Sequence, residues 1–202
     1  MRILCIGDSN TWGYDPRSFY GSRYCADVRW TDRLGNHTVM NCGINGLAIP
    51  DNNAVYRELI RRKNPDLTIV MLGSNDLLEG ASAAITTERM NSFLIGVRDV
   101  TPAILLISPP SMQWGEWVQN KELIRESKNL GVLYKKMSEN LNIMFADADD
   151  WQVRLAFDGI HFTEEGHASF ADGLNKLLGM YNSSLIDRCS KMSMHETADT
   201  ER

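Results

Sequence analysis

The run Leu67-Thr68-Ile69-Val70-Met71-Leu72, closed at once by Gly73-Ser74-Asn75-Asp76, decides how the rest of the chain is read. Nearly every position in it is apolar or β-branched, so both of its faces must be covered. That is the signature of a strand in a parallel sheet packed between helices. Outward from it, residues 3–6 and 103–107 repeat the pattern, the latter closed by Ser108-Pro109-Pro110, and residues 39–40 and 143–146 repeat it more weakly. Helical patterns fill the gaps at 52–63, 87–100, 121–140 and 164–181. In the first of these Ala54, Val55, Leu59 and Ile60 recur at helical spacing, and Pro65 lies just beyond as a stop. The alternation βαβαβαβαβα predicts a doubly wound α/β sandwich with a five-stranded parallel sheet and right-handed crossovers. One domain is expected over 1–181. Residues 182–202 are polar, lack aromatics and show no sustained apolar period, so they read as a mobile tail or as a segment docking on a neighbouring subunit.

Composition narrows the function classes. The 202 residues carry 21 Lys+Arg against 26 Asp+Glu, a net charge of −5. An acidic balance disfavours nucleic acid or an anionic membrane surface as partner, because phosphate neutralisation needs a basic face. No apolar run approaches the ~18 residues of a membrane span. Cys5, Cys25, Cys42 and Cys189 show neither zinc-site nor disulfide-framework spacing. Reduced thiols and a cytoplasmic location are expected, and residues 1–7 read as a buried strand rather than a signal peptide.

Ligands of open parallel sheets bind beyond the carboxyl ends of the strands, so the residues just after each run carry the functional signal. The first run leads into Gly7-Asp8-Ser9-Asn10-Thr11-Trp12-Gly13, the second into Asn41-Cys42-Gly43-Ile44-Asn45-Gly46, the third into Gly73-Ser74-Asn75-Asp76. The fifth leads, through a longer loop, to Asp158-Gly159-Ile160-His161-Phe162-Thr163. Ser9 is either a nucleophile at the start of a helix, where free N–H groups favour an oxyanion, or simply an N-cap. Its surroundings lack the G-x-S-x-G elbow of ordinary α/β-hydrolases. A serine nucleophile needs a base oriented by a third group. Among His37, His161, His167 and His195, His161 differs because Asp158 precedes it by three residues, with Gly159 between them allowing a tight loop. His37 reads as a surface turn, His167 as the solvent side or packing boundary of the last helix, and His195 as part of the tail. Asn75 offers an amide donor for an oxyanion or is turn chemistry. Gly46 offers a backbone N–H or starts the loop before Pro50. Asp8 and Asp76 read as loop-pinning carboxylates.

Taken in order, Gly7-Asp8-Ser9, Gly46, Gly73-x-Asn75-Asp76 and Asp158-x-x-His161 resemble the four blocks of the SGNH (GDSL-type) hydrolases. The resemblance implies a flavodoxin-like three-layer α/β/α sandwich and an esterase, lipase, thioesterase or carbohydrate acetylesterase activity. It implies Ser9 as nucleophile, His161 as base and Asp158 as its orienting acid. The N–H groups of Ser9 and Gly46 and the side chain of Asn75 would then form the oxyanion hole. RILC-x-GDS-x-TWG at 2–13, DVRWT at 27–31, IVMLG-x-ND at 69–76, SPP at 108–110 and DGIHFTE at 158–164 are most similar to the bacterial arylesterases and acyltransferases of the family. Two departures are Asn10, where leucine or isoleucine usually follows the serine, and the stretch 101–119.

The expected reaction is therefore hydrolysis of a small-molecule, short-acyl ester through an acyl-enzyme, with no metal or organic cofactor and with transfer to other nucleophiles as a variant of the second step. Asn10, Trp12 and Trp114 are candidate walls of the substrate pocket, and Trp114 with Trp117 a candidate lid or subunit contact. By family analogy a homo-oligomer is expected. One rival is a metallophosphoesterase using Asp8, Asp76, Asp158 and His161, although four scattered histidines supply too few ligands. The other is a non-catalytic flavodoxin-like module, which lacks a glycine-rich phosphate loop.

Overall fold

The computed structural model describes residues 1–18 and 20–196, with side chains in the last helix described as far as Met180. Five strands form one parallel sheet: β1 (Arg2–Gly7), β2 (Thr38–Gly43), β3 (Leu67–Met71), β4 (Ile104–Ser108) and β5 (Met144–Asp147). Their spatial order is β2-β1-β3-β4-β5, the flavodoxin-like order 2-1-3-4-5. Register pairs Ile3 with Leu67 on one side of β1 and with Val39 on the other. Strands β1, β3 and β4 are buried along almost their whole length, whereas edge strand β2 is half-buried. An edge strand has one covered flank fewer, which is why its sequence signal is the weaker one.

Alternate strand residues face opposite layers. Leu4, Ile6, Val70 and Leu106 pack with Ile60 of α2 (Ala54–Lys63), with Met90, Phe93, Leu94 and Val97 of α4 (Ala83–Val97), and with Leu130 and Tyr134 of α5 (Lys121–Leu141). On the other face Ile3, Cys5, Ile69, Leu105 and Ile107 pack with Trp30, Phe170, Leu174 and Leu178, the last three from α6 (Glu164–Glu196). Two short helices complete the set, α1 (Ser9–Trp12) directly after β1 and α3 (Ser74–Leu78) directly after β3.

The helix boundaries differ from the sequence expectation for local reasons. α4 starts four residues earlier than its apolar period suggests. There Ser82 caps it by accepting from the Ile85 N–H, and the Glu126 carboxylate on α5 accepts from the Ala83 N–H. α2 ends at Asn64, left-handed at φ 46°, one residue before Pro65. The last helix continues to Glu196 through much of the stretch read as a polar tail. The mobility expected of that tail concerns side chains and a terminus outside the described residues.

One histidine reading is corrected. His167 is fully buried rather than at a solvent face. Its ring lies edge-on to Tyr24 and Phe162, and its Nδ1 accepts from the Trp30 N–H at 3.4 Å. Burial, with the Arg33 and Arg29 charges adding to it, pushes its pKa down to about 3, so the ring is neutral and acts as core.

Candidate active site

β1 is flanked by β2 and β3, so the ends of these three strands border the crevice where the strand order reverses. Ser9, Gly46 and Asn75 follow those three ends in turn. At the end of β1, Asp8 and not Ser9 caps the short helix, its carboxylate accepting from the Asn10 N–H at 3.0 Å. The cap alternative for Ser9 is thereby filled by its neighbour. The Ser9 hydroxyl instead meets His161 Nε2 at 3.0 Å. The other ring nitrogen, Nδ1, lies 2.7 Å from Asp158 Oδ2. An ionised carboxylate only accepts, so Nδ1 carries the ring proton, Nε2 is left as acceptor, and the Ser9 O–H donates to it.

All three groups are nearly enclosed: Ser9 is 7% exposed, His161 4% and Asp158 1%. Burial alone would raise the Asp158 pKa. The His161 ring N–H and the backbone N–H groups of His161 and Ile160, both donating to Oδ1, outweigh it and hold the carboxyl below its ordinary value. Asp158 therefore stays ionised at neutral pH in the folded chain. The turn between the two residues needs Gly159, at φ 84°, where a Cβ would also lie 2.1 Å from the Gln113 carbonyl.

The loops after β2 and β3 are tied to each other. Asn75 Nδ2 donates to the Leu47 carbonyl at 3.1 Å, one residue beyond Gly46. Asp76, fully buried, accepts from the Ile49 N–H at 3.0 Å and pairs with Arg89 at 3.0 Å. It pins the Gly46 loop, as a structural carboxylate should. Gly46 is exposed and left-handed at φ 73°, and a Cβ there would meet no atom within 4 Å. Its glycine is required by backbone conformation, not by crowding.

The pocket candidates are rearranged. The Asn10 side chain does not line an acyl pocket: it is 2% exposed and bonded to the backbone on both sides of His161. The Trp12 ring lies under the Arg23 guanidinium, 5.4 Å from its centroid. Trp114 is 63% exposed and makes no described ring contact with His161. The rings that do flank His161 are Trp117, edge-on at 5.2 Å, and Tyr14, tilted at 4.6 Å. Trp117 is brought there because its loop is hydrogen-bonded onto the acid–base loop, through Gln113 N–H to Gly159 O, Glu116 N–H to Phe157 O and Trp117 N–H to Asp158 O. Among the described residues no three His, Cys, Asp or Glu side chains gather in a metal-holding group.

The sequence pattern of the GDSL-like lipase/acylhydrolase family matches residues 5–169, which includes every site residue just described. The chain belongs to that family. GDSL-family members are carboxylic ester hydrolases, and the substrates of the class are small-molecule esters. Solved structures agree. A proposed arylesterase from Agrobacterium tumefaciens str. C58 is 27% identical with a TM-score of 0.75, covering 88% of this chain and 97% of that one. A carbohydrate acetylesterase family member from Sinorhizobium meliloti is 26% identical with a TM-score of 0.75, covering 89% and 97%. The aryl esterase of M. smegmatis, at 24% identity and a TM-score of 0.77 over 89% and 98%, shares the fold. An uncharacterized lipoprotein of Bacillus subtilis (strain 168) is 30% identical over 88 residues, 43% of this chain. That match covers 34% of the lipoprotein, so it spans about a third of that curated relative's length.

In this GDSL-family chain Asp8 carries a measurable electrostatic cost. Burial raises its pKa from 3.8 to about 6, only partly offset by the Asn10 N–H and the nearby His161. A carboxyl raised on folding contributes stability that is complete below its ordinary range and is lost as pH climbs through about 6. Asp8→Asn keeps a capping oxygen and removes the buried charge. It should flatten the loss of stability between pH 4 and 7 and add on the order of 2–3 kcal/mol at pH 8, the scale of a two-unit shift. Urea midpoints of both proteins at pH 4.5 and pH 8 measure this, the pH dependence of the difference being the readout.

Proposed function

We propose that this chain is a serine esterase that hydrolyses short-acyl esters through an acyl-enzyme on Ser9. The observation that carries the reading is the continuous relay from the Ser9 hydroxyl through His161 to the buried Asp158. Ser9 Oγ attacks the ester carbonyl as His161 Nε2 takes its proton. Asp158 holds the ring by Nδ1 and stabilises the imidazolium that forms. The negative oxygen of the tetrahedral intermediate is held by the Ser9 and Gly46 N–H groups and by the Asn75 amide. That amide has two N–H groups, of which Leu47 O occupies one. Collapse expels the alcohol, which receives the proton from Nε2. A water molecule then attacks the acyl carbon as Nε2 takes its proton, and collapse of the second tetrahedral intermediate frees the acid while Nε2 returns the proton to Ser9 Oγ. Another alcohol in place of that water would give acyl transfer by the same step.

The preference for a short acyl group is supported by the confinement of Ser9, and by likeness to proteins named for aryl and carbohydrate acetyl esters. Because Nε2 delivers the proton to the departing oxygen, the alcohol half sits beside His161, where Tyr14 and Trp117 border it. Hydrolysis of p-nitrophenyl acetate, butyrate and octanoate tests the reading. The expected result is kcat/KM falling with acyl length, and equal rates on octanoate and acetate would refute the short-acyl assignment. Asn75→Ala should lower kcat by roughly 10²–10³-fold with little change in KM, the cost of one oxyanion donor. A change confined to KM would remove Asn75 from that role.

A further inference from the structure

The backbone N–H and C=O groups of Ile160 and His161 and the Phe162 N–H are paired, and their partners divide into two sets. The Ile160 and His161 N–H groups donate to Asp158 Oδ1, and the His161 carbonyl accepts from the Ala156 N–H at 2.7 Å. These bonds lie within the acid–base loop itself. The Ile160 carbonyl accepts from Asn10 Nδ2 at 3.1 Å, and the Phe162 N–H donates to Asn10 Oδ1 at 2.9 Å. These two bonds come from the residue that follows Ser9 and bracket His161 on either side. The main chain of Asn10 is itself held: its backbone carbonyl accepts from Trp30 Nε1 at 2.9 Å and its backbone N–H donates to Asp8, and the residue is 2% exposed.

We infer that Asn10 is a positioning residue that fixes the distance between nucleophile and base. The inference rests on the reading of Ser9 as nucleophile and His161 as base. A single planar amide, one covalent residue from Ser9, grips the main chain before and after His161. The Ser9–His161 separation is therefore set by a rigid bridge rather than by the 3.0 Å hydrogen bond between the reacting groups alone. A leucine at this position has a similar volume but no polar atom, and cannot form either bond. The bridge matters most when the Ser9–His161 bond is broken, as it is in the acyl-enzyme. At that stage Nε2 has lost its hydroxyl partner and must still aim at the incoming water. Loss of the bridge should therefore slow deacylation at least as much as acylation.

Asn10→Leu tests this directly, with Asn10→Asp as the variant that keeps the acceptor for the Phe162 N–H and loses the donor to Ile160. With p-nitrophenyl acetate, Asn10→Leu should lower kcat by about ten- to a hundredfold, the scale of a sub-ångström to 1 Å misplacement, with KM within about twofold. A pre-steady-state burst of p-nitrophenol should grow more prominent as deacylation falls behind, and Asn10→Asp should fall between the two proteins. Trp30→Phe supplies the control. It removes the Trp30 bond to the Asn10 carbonyl and lowers Tm, but leaves the side-chain bridge intact and should keep kcat. If Asn10→Leu does not fold, Asn10→Asp carries the test against the same control. Wild-type kcat in the Asn10 variants, or an equal loss in Trp30→Phe, would overturn the positioning role and leave Asn10 a structural residue. Ser9→Ala separates the two levels: an active Ser9→Ala protein would refute the esterase mechanism itself, whereas an inactive one beside fully active Asn10 variants would refute only this inference.

Discussion

Ser9→Ala should lower kcat on p-nitrophenyl acetate roughly a millionfold, the loss seen when the nucleophile of a serine triad is removed, while leaving the fold intact. The hydroxyl is not the helix cap: that bond is made by Asp8. Its one described side-chain hydrogen bond is to His161 Nε2. Removal leaves Nε2 without a partner at a site 4% exposed, so a small drop in Tm is expected beside the collapse of activity. An organophosphonate should label the wild type at Ser9 and leave the variant unlabelled. Ser9→Ala and His161→Ala should each cost about as much as the double variant, because the two act as one unit. Additive losses would show that they do not.

Asp158→Asn should cost roughly 10⁴-fold in kcat, the effect of presenting an amide where the imidazole needs a carboxylate. The amide oxygen can still accept from the Ile160 and His161 N–H groups, which keeps the loop folded. Its NH2 then faces Nδ1, which must give up its proton to accept. The proton moves to Nε2, which points at Ser9 as a donor and can no longer take a proton from it. The geometry is kept and the tautomer is wrong. Stability provides the second readout. The wild-type carboxyl is held below its ordinary pKa, so its contribution is present above the ordinary carboxylate range and lost as pH falls through the lowered folded value. The variant should show a shallower acid limb in unfolding, with kcat lost at all pH values.

The sheet was legible because β1, β3 and β4 are buried on both faces and so are apolar at almost every position. The candidate nucleophile, base and acid were legible because each lies beside a strand end or within a three-residue turn, where a polar residue has few other reasons to be. The short helix α3 was not. Five residues are too few for a helical period to declare itself, and Gly73-Ser74-Asn75-Asp76 satisfies the rules for a turn equally well. That Tyr14 and Trp117 flank His161 was not legible, for a different reason. Trp117 arrives through backbone hydrogen bonds between two loops, and such bonds leave no mark on residue identity. The bridging role of Asn10 was hidden likewise, since its partners are main-chain groups 150 and 152 residues away. His167 could have been found. It stands three, four and seven residues before Phe170, Ala171 and Leu174, the apolar face of α6, and that spacing alone places it in the core.

Ser9 and His161 are separated by 152 positions, one in the first turn of chain after the first strand and the other just before the last helix. A nascent chain that already carries the serine lacks its base until all five strands have been made. Pairings between such distant residues form late, because loop-closure entropy must be overcome first. The nucleophile is thus unarmed in any species in which that pairing has not formed, and turnover of a chromogenic ester reports on the molecules in which it has.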